Sequence, residues 1–199
     1  MAHVPAVERR PQLVQAAIEL MAREGVDAGS TRAIAAELGV AQATVHYTFG
    51  TKRDLYRAVI EQLTAELVEQ VRGAAPAGRD FETSLRLMAR ALWEGLRAHP
   101  GRYLLFIELM TYALRNADLH EVVRTHQREL EETAAGMISE VAERTGRPLA
   151  VEAVTLARFF LTGFDGLALR HLVVEDDASA VALEQLVAAA LALAGTDGG

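Results

Sequence analysis

The 199-residue sequence contains no cysteine. That excludes disulfides, zinc–thiolate and iron–sulfur sites, a cysteine nucleophile, and signalling through thiol oxidation. Lysine is nearly absent too: of twenty basic residues, only Lys52 is not an arginine. No apolar run is long and clean enough to span a bilayer, which takes about 20 strongly apolar residues. The stretch 150–174 is interrupted by Glu152, Arg158, Asp165 and Arg170, and 178–194 is mostly alanine with Glu184 and Gln185 inside it. Residues 1–20 hold Glu8, Arg9 and Arg10 but no uninterrupted apolar segment, so no secretory signal is expected and the chain reads as cytoplasmic.

Enzyme signatures are missing as well. There is no Gly-x-Ser-x-Gly elbow and no Gly-x-Gly-x-x-Gly turn, and Gly50-Thr51-Lys52 lacks the glycine-rich loop and strand of a phosphate-binding loop. His120-Glu121-Val122-Val123-Arg124 departs from a zinc-protease helix at its last position, where arginine replaces the second histidine. No catalytic residue, metal site or cofactor is assigned, and the chain is not read as an enzyme.

What is present is a folding sequence, 51% apolar and 24% charged, with a formal charge of −7 and a pI near 5.4. The charge is uneven. Residues 1–60 hold seven basic and six acidic residues, whereas residues 61–199 hold thirteen and twenty-one. A nearly neutral head therefore precedes an acidic body, and the overall acidity does not speak against a small DNA-reading module at the N-terminus.

Apolar residues recur at helical spacing throughout, without a convincing strand-like alternation, so the expected class is all-α with about nine helices. Helices are expected over 9–24, 32–38, 42–48 and 52–72. A further one carries Phe81, Leu85, Met88, Leu92 and Leu96, and others cover 103–114, a long stripe from Leu119 to Val141, 151–174 and 178–194. Ser30 or Thr31 is placed to cap the second helix and Gly39 to end it. The last two helices are apolar on nearly all sides and need a second cover, for which another subunit is the natural candidate.

Residues 30–55 read STRAIAAELGVAQATVHYTFGTKRDL: two short helices about a tight Gly39-Val40-Ala41 turn, a helix-turn-helix spacing. The second helix turns amide, hydroxyl, methyl and aromatic groups outward, the types that meet base edges and phosphates. Lys52 then opens the next helix, where a cation and a helix N-terminus together favour a phosphate.

Thr31-x-x-Ile34-Ala35-x-x-x-Gly39-Val40, Ala43-Thr44-Val45, Tyr47-x-Phe49 and Lys52-x-x-Leu55 together resemble the DNA-binding domain of the TetR/AcrR family of bacterial transcriptional regulators. His46 stands where that family usually has tyrosine, and Thr48 where histidine or tyrosine is common, so no operator sequence carries over. The resemblance implies an N-terminal three-helix DNA-binding domain, 1–52, joined to a larger helical effector-binding and dimerisation domain, 53–199. It implies base contacts by Arg32, Gln42, Ala43 and Thr44, and phosphate contacts by Thr31, His46, Tyr47, Thr48 and Lys52.

For the C-terminal part the resemblance implies a homodimer through the last two helices of each subunit. Val154, Phe159, Leu161, Leu183, Leu186 and Leu191 are candidate contacts, with Gly163 and Gly166 allowing close approach. A dimer sets two reading helices against half-sites about 34–36 Å apart, or a multiple of that. The acidic body does little harm to DNA binding beyond a Debye length of about 8 Å. The family also implies an unidentified small-molecule effector. Candidate lining residues are Met88, Trp93, Tyr103, Phe106, Met110, Tyr112, His126, Phe160 and Phe164, a set that suits an apolar or aromatic ligand. The resulting expectation is a repressor that binds a palindromic double-stranded operator, leaves it when the effector binds, and has no membrane association. Control by a protein partner, control without a ligand, and a helical interaction module with no DNA function are the alternatives.

Overall fold

Helices whose apolar residues recur every third or fourth position need a surface to bury them, and in this chain other helices supply it. The structure, a computed structural model, describes residues 6–75, 77–174 and 178–195, with side chains from Arg9 onward. Among the described residues are nine α-helices, one 3-10 helix and no strand, as the all-helical expectation requires. The order is α1 Ala6–Glu24, the 3-10 helix Val26–Ala28, α2 Thr31–Glu37, α3 Gln42–Phe49, α4 Lys52–Gly73, α5 Phe81–Ala98, α6 Pro100–Leu114, α7 Ala117–Thr145, α8 Ala153–Val173 and α9 Ala178–Leu193.

The starts of α2 and α6 differ from the sequence expectation for local reasons. Ser30, not Thr31, caps α2: its Oγ accepts the backbone N–H of Ala33 at 3.1 Å, so the helix already includes Thr31. Helix α6 starts at Pro100, three residues before the apolar run at Tyr103. Proline fits the first helical position because the N–H it lacks would have no partner there.

The chain packs as two compact units. The first comprises the described residues through Glu66 together with His99–His126. In its core Leu13, Ala17, Ile18 and Met21 of α1 meet Ile34, Val45, Val59, Leu105 and Leu109, none of them more than 1% exposed. Arg102 of α6 is ion-paired with Glu66 of α4.

The second unit comprises Leu67–Ala98 and the described residues from Gln127 on. Phe81, Ala89, Ile138, Val141, Leu156, Ala157, Val187 and Leu191 form its core. Arg86 and Arg90 of α5 both donate to Glu184 of α9, at 2.9 and 3.0 Å. Gly163 of α8 leaves room for Leu186 of α9, whose Cδ1 would lie 2.5 Å from a Cβ at that position. Leu183 and Leu191, expected from the sequence as partner contacts, are buried within the protomer. Leu161, Leu186 and Val154 are half-buried, and Gly163 meets Leu186 of its own chain. The exposed faces lie elsewhere. On α8, Thr155, Phe159, Thr162, Gly166, Leu169 and Val173 follow one another at four- and three-residue steps; on α9, Val181, Gln185, Ala188 and Ala192 do the same.

Candidate nucleic-acid interface

Helices α2 and α3 are locked together from within. Gly39, at φ +62, makes the reversal that a side chain would strain, and its N–H donates to the Ala36 carbonyl at 3.1 Å. Val40 N–H donates to the Ala35 carbonyl at 2.9 Å, closing the turn. Ile34, Ala35, Val45 and Phe49 are buried, which fixes the rotation of α3 and leaves its other side outward.

The residues expected to meet DNA lie on α2, on α3 and at the start of α4. Arg32, Gln42, Ala43, His46, Tyr47 and Lys52 are exposed, and Thr31, Thr44 and Thr48 are half-buried. Tyr47 is 89% exposed, an aromatic ring with almost no packing role in the protomer. Thr31 joins the two helices: Gln42 Nε2 donates to its hydroxyl at 3.1 Å, and that hydroxyl lies 3.3 Å from His46 Nε2. Thr48 turns inward on its own helix and donates to the Thr44 carbonyl at 2.8 Å.

Lys52 is held by aromatic rings. Its ammonium donates to the Tyr112 hydroxyl at 3.2 Å and sits 5.0 Å from the ring centres of both Tyr56 and Tyr112. Burial disfavours its charged form, but the hydrogen bonds to Tyr56 and Tyr112 outweigh that, and the Lys52 pKa is raised. Burial likewise pushes the Tyr56 phenol up. Helix α6 also grips the segment ahead of α2: Glu108 Oε2 accepts the Val26 N–H at 3.2 Å, while the Tyr56 hydroxyl donates to the Val26 carbonyl at 3.4 Å. The sequence reading missed Glu108. Its signal was there, since it is the one charged residue between Tyr103 and Leu114.

The nine effector candidates fall in different units. Tyr103, Phe106, Met110, Tyr112 and His126 belong to the first, and Met88, Trp93, Phe160 and Phe164 to the second. In the first, His126 is buried, with its Nε2 3.2 Å from the Thr64 hydroxyl and its ring edge-on to Phe106 at 5.7 Å. Tyr112 is drawn to Lys52 and packs edge-on against Tyr56 at 5.5 Å. In the second, Trp93 meets Phe164 at 6.2 Å and His171 at 4.8 Å, and Phe160 stacks on Phe164 at 6.1 Å. His171 was not expected from the sequence. Its Nδ1 is buried without a hydrogen-bond partner among the described protein atoms. No group of three or more potential metal ligands forms among the described residues.

An all-helical chain that presents a rigid helix-turn-helix with a polar, solvent-facing second helix is a DNA-binding regulator by class. Comparison with known proteins makes the assignment particular. Residues 13–59 match the model for bacterial regulatory proteins of the tetR family, and residues 81–195 match that for the C-terminal region of BetI-type transcriptional repressors. The chain belongs to the TetR family of transcriptional regulators. It is 27% identical over 168 residues to the HTH-type nicotine-responsive transcriptional repressor HdnoR of Paenarthrobacter nicotinovorans, covering 84% of this chain and 86% of that repressor. It is similar in structure to the multidrug binding protein EbrR complexed with ethidium, with 28% identity and a TM-score of 0.71, covering 94% of this chain and 99% of that one. A TetR-family regulator from Rhodococcus sp. shares the fold at a TM-score of 0.79 and 18% identity, covering 95% and 100% of the two chains. Among the described residues no helix is long and apolar enough to cross a membrane.

Proposed function

We propose that the protein is a cytoplasmic, ligand-responsive repressor that binds a palindromic operator as a homodimer. The observation that carries the DNA contact is the outward face of α3, where Tyr47 is 89% exposed beside Gln42, Ala43 and His46. Such a face adds little to folding, and its donors and acceptors suit a groove. Arg32, Gln42, Ala43 and Thr44 meet bases; His46, Tyr47 and Lys52 meet the backbone, with Thr31 and Thr48 beside them, their hydroxyls engaged within α2 and α3. The functional boundary falls at 52/53, with the remainder of the chain serving effector and partner.

The dimer forms through the outer seams of α8 and α9. Phe159, Leu169, Val173 and Val181 are 40%, 49%, 76% and 60% exposed, a run of apolar side chains that water covers poorly. They lie on the exposed seams of α8 and α9 described above, whose four- and three-residue steps suit side-by-side helices.

The effector is apolar or aromatic. The clusters about Trp93 and His126 support this reading, as do a relative named for its response to nicotine and a similar structure that holds ethidium. Release requires that the effector bind the DNA-incompetent arrangement of the dimer more tightly than the competent one. The test is selection of a duplex from a random pool, followed by titration of Tyr47→Ala and Lys52→Ala proteins that remain dimeric. Each should bind the selected duplex at least about tenfold more weakly. Undiminished affinity in both would overturn the assigned interface.

A further inference from the structure

The hydrogen-bond chain across the helix-turn-helix fixes which groups α3 offers to DNA, and so points to a base; this rests on the DNA-binding reading above. Gln42 Nε2 donates to Thr31 Oγ1 at 3.1 Å, which makes the hydroxyl oxygen an acceptor. The hydroxyl has one proton of its own, and an amide nitrogen cannot take it. His46 Nε2 lies 3.3 Å from that hydroxyl and, in the tautomer with its proton on Nδ1, is the acceptor for it. His46 then carries its ring proton on Nδ1, and both ends of the chain are ordered by one residue of the other helix.

The consequence for Gln42 is specific. One N–H is held by Thr31, so the amide plane cannot turn freely. With the N–H trans to Oε1 as the one that Thr31 holds, the other N–H and Oε1 lie side by side, a donor and an acceptor on one edge. Adenine shows the matching pair in the major groove, with N7 accepting and N6–H donating. Guanine shows two acceptors there and would face Oε1 with a lone pair. At the other end, His46 presents an N–H donor, which suits a phosphate oxygen and carries no base preference.

We infer that Thr31 is a specificity-determining residue: by holding one amide N–H of Gln42 it sets that side chain to read adenine in each half-site, with the His46 Nδ1–H left to a phosphate.

The experiment uses the full chain and a duplex pool with a randomised centre. Wild type should enrich adenine at one position of each half-site. Replacing that adenine by 7-deazaadenine, which removes the N7 acceptor, should weaken binding about tenfold. Thr31→Val keeps the shape and loses the hydroxyl; it should bind the natural duplex about tenfold more weakly and lose most of the 7-deaza penalty. Thr31→Ser should behave as wild type, and Gln42→Ala should be insensitive to 7-deazaadenine. Helicity and oligomeric state of each variant are checked by circular dichroism and sedimentation. An enriched duplex without a Gln42-dependent adenine, or a Thr31→Val protein with the full 7-deaza penalty, overturns the inference and leaves DNA binding standing. A wild-type protein that enriches no duplex overturns the operator reading and this inference with it.

Discussion

The ammonium of Lys52, at the first turn of α4, donates to the hydroxyl of Tyr112, near the end of α6, across 3.2 Å. The side chain proposed to meet a phosphate is thus positioned by a residue sixty positions later. Tyr112→Phe keeps the ring face and should leave DNA affinity within about twofold, because the ring's attraction for the cation survives. Tyr112→Leu removes ring and hydroxyl together and should weaken binding several-fold. Lys52→Ala should lower the slope of log affinity against log salt by about one per subunit. Titrations at three or four salt concentrations check all three.

Glu108 closes the only hydrogen bond described from a side chain to the Val26 N–H. Glu108→Ala leaves that donor without its carboxylate and should cost about 1–2 kcal/mol. Glu108→Gln keeps a carbonyl acceptor and should cost less. Urea unfolding followed by circular dichroism measures both.

His171 gives the opposite sign. Its Nδ1 is buried without a protein partner against Trp93, and an unsatisfied buried polar atom is a standing cost of about 1–3 kcal/mol. His171→Phe should therefore be neutral or stabilising, read as a rise in the urea midpoint. A clear loss of stability would mean that the nitrogen is satisfied.

The two kinds of leucine and valine in the last helices should separate cleanly. Leu183→Ala removes a buried side chain and should destabilise the protomer by about 2–5 kcal/mol. Val173→Glu alters an exposed position and should leave helicity intact while weakening self-association at least about tenfold. Sedimentation and thermal melts, run together, distinguish them.

Acid should weaken the second unit. Hydrogen bonds from Arg158 and Gln127 hold the Glu131 carboxyl below its ordinary value near 4.5, and Arg90 and Arg86 do the same for Glu184. A carboxylate whose pKa falls on folding contributes stability above its unfolded pKa and loses it as pH drops through the folded value. The urea midpoint should thus fall progressively below about pH 5. Glu131→Gln and Glu184→Gln proteins should start lower at neutral pH and fall less steeply.

The helix-turn-helix was legible because its signals are local. Gly39, the Ser30 cap and the buried positions Ile34, Val45 and Phe49 act within a few residues of one another. The outward positions of α3 follow from the same short periodicity. The C-terminal seams were less legible because α8 and α9 are apolar on most sides. Periodicity cannot say which leucine faces the protomer's own core, and Leu183 and Leu191 proved to be inside while Leu169 and Val173 are outside. Tyr112 was read as a lining residue because nothing near it in sequence points to Lys52. Only the packing of α6 brings the two together.

The aromatic residues are divided in a way that bears on measurement. All four tyrosines, Tyr47, Tyr56, Tyr103 and Tyr112, belong to the first unit, and the single tryptophan, Trp93, to the second. Each unit therefore carries its own chromophore, and unlabelled protein can report on the two halves at different wavelengths. Superimposed phenol and indole transitions on heating would mean that they melt as one cooperative body; separated transitions would give each half its own midpoint and unfolding free energy.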